Sequence, residues 1–163
     1  MAITVTFNEY NGAAETKTSG ITSLTFGASD AASFTAHEYP LYAGQRSFVK
    51  YVTAEFAGFG GETISATKVY CDSTMSTGES LTYEGLGPVA YATPTDGTDE
   101  TSEDSAIPTS EPGEQNLALG DADDGTLVAD GESNLMRFQR TMGATTPNGT
   151  LNTLTITLAY TEA

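Results

Sequence analysis

The chain has 163 residues, a hydrophobic fraction of 38%, no Trp, and a formal net charge of -16 from 22 acidic residues against six Lys and Arg. That length fits one domain, 1–163, with a single core, and that charge repels phosphate backbones and anionic bilayers, so neither nucleic acid nor a membrane is expected as a partner. Cys71 is the only cysteine, which excludes an intrachain disulfide and a cysteine-based zinc site.

Ile3, Val5 and Phe7 alternate with Thr4 and Thr6, a half-buried strand that begins at once instead of opening on a basic region and an apolar run. No secretory leader is therefore expected, no apolar stretch approaches the length of a membrane span, and the expectation is a soluble chain made in the cytoplasm. Asn11-Gly12 marks a turn. Residues 21–26 form a second candidate strand stopped by Gly27, and Ser29 or Asp30 could cap a helical turn within 28–36.

Residues 46–56 carry the strongest strand pattern. Phe48, Val52, Ala54 and Phe56 share a parity with Lys50, while Val49, Tyr51, Thr53 and Glu55 lie on the other. A strand apolar on much of both faces is expected at the centre of a sheet. Residues 64–70 follow as another strand, then 81–83 and 89–92, both short and bounded by Gly or Pro.

From Thr93 to Asp124 the chain is rich in Asp, Glu, Thr, Ser and Pro and has no basic residue. It reads as a long acidic loop or arm anchored by Ile107, Leu117 and Leu119, either solvated or in contact with a partner. Strand patterns return at 126–129, at 134–142, where Met136, Phe138 and Met142 share a face with Arg140, and at 153–160, where Leu154, Ile156, Leu158 and Tyr160 point one way. Asn148-Gly149 suits a tight turn between the last two. About eight short alternating strands without an amphipathic helix predict an all-β protein, a β-sandwich of jelly-roll or immunoglobulin-like type.

Chemistry is sparse. His37, the only histidine, precedes Glu38-Tyr39-Pro40 and reads as a loop residue; a catalytic role would need a Ser or carboxylate within hydrogen-bond reach. Cys71 ends an apolar run and reads as a buried thiol. The acids cluster in the low-pattern loop, a poor place to fix the paired carboxylates of a glycosidase. Asp121, Asp123 and Asp124, between Gly120 and Gly125, are the ligands a hard cation would use, yet EF-hand spacing is not met and the segment reads as an acidic turn before it reads as a metal site. Asn148-Gly149-Thr150 fits a glycosylation acceptor but reads as turn chemistry, and the glycines of 58–61 lack the Lys of a phosphate-binding loop. No catalytic residue, cofactor site or metal site is assigned.

Three stretches carry a family likeness: Ile3-Thr4-Val5-Thr6-Phe7-Asn8-Glu9-Tyr10-Asn11-Gly12 with Ile21-Thr22-Ser23-Leu24-Thr25-Phe26-Gly27; Tyr91-Ala92-Thr93-Pro94-Thr95 with Ile107-Pro108-Thr109-Ser110; and the closing run 154–160. Together they resemble small proteins encoded among the virion genes of tailed bacteriophages. The resemblance implies a non-enzymatic virion component, assembled in the host cytoplasm. Its implied form is a capsid decoration or cement protein, commonly a homotrimer, that binds the major capsid protein and other virion proteins. The acidic loop departs from any decoration-protein motif and keeps open a tail, neck or fibre position. Outside the virion, the alternatives are a carbohydrate- or receptor-binding β-module, which would cluster Tyr on an exposed face, and an enzyme built on His37. The first strand and the acidic loop are the expected contact elements, and Phe7, Tyr10, Phe48, Tyr51 and Phe56 are read as core before interface.

Overall fold

The computed structural model describes residues 2–35, 37–87, 89–96, 105–120, 125–146 and 152–163. Among them there is no helix, and nine strands form two antiparallel sheets: β1 (Thr4–Asn11), β2 (Thr16–Ser19), β3 (Lys50–Ala57), β4 (Ile64–Cys71), β5 (Glu79–Glu84), β6 (Ser105–Ala106), β7 (Gly131–Glu132), β8 (Met136–Met142) and β9 (Ile156–Glu162). The large sheet runs in the order β2-β1-β3-β8-β5-β6, with β7 beside β3, and the small sheet is the pair β4-β9. The all-β expectation holds.

Directly opposed residues share a face. The register Val5↔Phe56, Phe7↔Ala54 and Val52↔Met136 therefore puts Val5, Phe7, Val52, Ala54, Phe56 and Met136 on one side of the large sheet. The small sheet covers this side with Ile64, Val69, Cys71, Ile156 and Leu158, and all join one core. Phe56, fully buried, meets Tyr160 edge-to-face at 5.6 Å across the two layers. β3 is buried on both faces and lies between β1 and β8, the central position its pattern predicts.

A bulge shapes β4. The register passes from Ser65↔Thr161 to Lys68↔Ala159, so Ala66 and Thr67 face Tyr160 alone, and Ala66 takes a φ of 51°. The bulge turns Thr67 inward, where its hydroxyl donates to the Leu117 carbonyl at 2.6 Å. The chain from 107 to 119 runs along the edge of β4 remote from β9. Asn116 holds both backbone groups of Val69, accepting from its N–H at 2.6 Å and donating to its carbonyl at 2.8 Å, and Cys71 N–H donates to the Pro108 carbonyl at 2.8 Å. Ile107, Leu117 and Leu119 are buried, as expected of the anchors of the acidic segment.

Several expected strands are absent. Residues 21–26 make no ladder; Ile21 donates one backbone bond to Phe7, and Ile21, Leu24 and Phe26 rest on the core as a strap. Their apolar spacing records one-sided burial, which a strap satisfies as well as a strand does. Residues 89–92 are irregular, and 126–129 contribute only a bridge from Leu127 to Ile64. No helical turn forms among the described residues of 28–36; the Asp30 and Ala31 carbonyls there are taken up by Lys50. Strand β3 starts at Lys50, four residues later than predicted, with Arg46 in an isolated bridge to Thr141. β2, a run of Thr, Lys, Thr and Ser, is exposed at all four residues and carries no apolar signal.

Candidate interaction surface

A sheet six strands across is capped by a sheet of two, and the mismatch leaves a groove. It lies between the 21–26 strap, the 37–41 loop and β9 with its lead-in 152–155, over the inner face of β3 and β8. Its volume is about 950 Å³, with Phe7, Leu24, Val52, Phe138, Leu154 and Leu158 among its walls. Every residue of β9 from Ile156 to Tyr160 is only partly buried, whereas β3 and β8 are buried almost throughout.

β9 pairs with β4 alone, so its other edge is open among the described residues. The direction of each backbone group follows from its partner across the ladder. Val69 and Cys71 turn their N–H groups away from β9, to Asn116 and Pro108. The opposed Leu158 and Ile156 therefore direct N–H and C=O outward, past the groove, while Thr157 faces Tyr70. The side chains of Ile156 and Leu158 line the same groove.

Two ion pairs sit on the inner face beside this apolar wall. Lys50 Nζ donates to Glu9 Oε1 at 2.9 Å with both side chains out of solvent, and also to the carbonyls of Asp30 at 3.3 Å and Ala31 at 2.8 Å. The Phe34 ring packs 5.5 Å from the ammonium. Burial raises the Glu9 carboxyl above the ordinary carboxylate range, with Lys50 opposing. On the groove wall Arg140 bonds the buried Glu79 through Nε and the Asn152 carbonyl through Nη2 at 2.9 Å. Sequence parity placed both cations on apolar faces, which signals a buried pair. Their acids lie 41 and 61 positions away and carry no local mark.

The opposite face of the large sheet is polar. Glu132 accepts from the Thr53 hydroxyl at 2.7 Å, the Tyr10 hydroxyl at 2.9 Å and Lys17, and Glu55 accepts from Lys17 at 3.2 Å and Asn8 at 2.9 Å. Against the cost of burial, the bonds from Lys17, Thr53 and Tyr10 hold the Glu132 carboxyl below its usual range. The bond to Glu132 raises Lys17. These bonds knit β1, β2, β3 and β7 together.

His37 is exposed at the rim of the groove and, among the described residues, no Ser or carboxylate is bonded to it. Cys71 is a free, fully buried thiol. Asp121, Asp123 and Asp124 lie outside the described residues, as does the turn at Asn148-Gly149; among the described residues no cluster of three metal-ligating side chains occurs. Of the aromatics read as core, Tyr51 and Phe56 are fully buried and Phe7, Tyr10 and Phe48 partly so. β1 is flanked by β3 along its length and by β2 from Asn8 to Asn11, so the longer open edge belongs to β9 instead of the first strand.

No family model, curated protein or solved structure matches this chain.

Proposed function

We propose that the chain is a non-enzymatic structural protein of a tailed-phage virion, a capsid decoration or cement protein that binds the major capsid protein and stabilises its shell as a trimer. The observation that carries this reading is the joint occurrence of the opening, middle and closing stretches that resemble small virion proteins. These stretches meet in space: Ile3, Ile107, Ile156 and Leu158 belong to one core. An all-β body with an open strand edge suits a protein whose work is contact, and a surplus of 16 negative charges keeps it soluble before it docks.

The test is co-sedimentation of the purified chain with heads and, separately, with tails of the phage that encodes it, alongside light scattering of the chain alone. The reading predicts a trimer that pellets with heads and raises their melting temperature. A monomer at high concentration that pellets with neither overturns it, and pelleting with tails alone replaces the capsid position by a tail, neck or fibre one. One observation favours a second reading, a glycan- or receptor-binding module. Tyr39 and Tyr42 are 43% and 62% exposed within a single loop, the presentation that ring stacking uses. Glycan binding lost in Tyr42→Ala would support that module against the shell protein.

A further inference from the structure

We infer that β9 is an acceptor edge, and that an extended segment of a different protein, alternating apolar with polar residues and basic in net charge, adds to it as a third strand of the small sheet. Three features of this site define the occupant. The outward N–H and C=O groups of Ile156 and Leu158 form a ladder edge that another backbone can pair with. A strand on that edge points alternate side chains into the groove, against Leu24, Phe26 and Phe138, which asks for apolar residues at every second position. A compact small molecule could fill the groove but would leave the edge unpaired.

Charge decides between a second copy and another protein. Lys17, Lys50, Lys68, Arg137 and Arg140 each pair with a carboxylate of this chain, and Arg46 is also engaged. The excess is therefore acidic, and each of two approaching copies would carry a formal net charge of -16. Glu38, between the groove-lining His37 and Tyr39, and Glu162, at the end of β9 itself, are exposed and favour cations on the incoming strand. The inference rests on the edge, the groove and the charge, and does not depend on where the protein assembles.

The experiment uses the full chain and the peptide acetyl-Lys-Val-Thr-Leu-Lys-Val-Thr-Leu-Lys-amide. Amide hydrogen exchange is read residue by residue, with the Glu-for-Lys peptide and a peptide of the same composition with its apolar residues grouped as controls. Exchange at Ile156 and Leu158 should slow by about tenfold or more on adding the alternating basic peptide. The Glu peptide should bind about tenfold or more weakly, and the grouped peptide should protect neither amide. Binding that leaves these two amides unprotected, or equal binding of the Glu peptide, overturns the inference. Protection in the free chain that grows with protein concentration assigns the edge to a second copy and overturns it equally. Failure here leaves co-sedimentation with heads untouched, and failure there leaves this result standing.

Discussion

At the residue scale the buried Lys50–Glu9 pair carries the highest stakes. Removing one partner of a buried pair strands the other, at about 3–5 kcal/mol, while removing both is often close to neutral. Lys50→Met should therefore lower the unfolding free energy by about 3–5 kcal/mol, and Glu9→Gln combined with it should recover part of that loss in urea denaturation. Recovery stays partial because Lys50 also serves the Asp30 and Ala31 carbonyls. Glu132 contributes to the pH dependence. Its folded pKa is lowered, so its contribution is present above the unfolded value of 4.5 and is lost as pH falls through the folded pKa. Glu132→Gln should cost about 1–2 kcal/mol at pH 7, a modest figure because the side chain is 31% exposed, and the gap should close under acid. Glu9 has the opposite sign: its raised pKa makes the native state the better proton binder, so its own contribution falls as pH rises above 4.5.

At the scale of elements, the β4 bulge and the 27–39 loop show what period-two reading captures and what it misses. β3, β8 and β9 were legible because their apolar residues alternate on a face that is turned toward the core. β2 was invisible, since its four residues are exposed and it exists only because Asn11-Gly12 turns the chain back onto β1. Residues 21–26 carry the same kind of signal as a strand, and only tertiary context separates strap from ladder. The bulge has no sequence signature either, because Ala stands where Gly would be expected. Ala66 at a φ of 51° pays the left-handed penalty of an L-residue, so Ala66→Gly should raise stability by about 0.5–1 kcal/mol in thermal or urea unfolding. A decrease would mean that the bulge is not populated in solution. In the 27–39 loop Gly27 is required by close approach. A Cβ there would lie 2.5 Å from the Phe34 ring and 2.6 Å from the Tyr39 carbonyl, contacts the backbone cannot yield without opening the loop.

At the scale of the whole molecule, six strands across on one side and two on the other produce both the groove and the open edge. The sequence announced the sandwich through its many short alternating runs. It could not announce the unequal division, because strand order is set by pairing between residues far apart in the chain, such as Leu81 with Arg140. The same limit hid the candidate surface: Ile156 and Leu158 look like ordinary core residues until the neighbours of Val69 and Cys71 reveal which way the β9 backbone points. The direct measurement is amide exchange of the free chain along β9. The structure predicts alternation, with Thr157 protected by Tyr70 and with Ile156 and Leu158 exchanging at least about tenfold faster, while β3 and β8 are the slowest of all. Uniform protection from Ile156 to Leu158 in dilute protein would contradict the open edge.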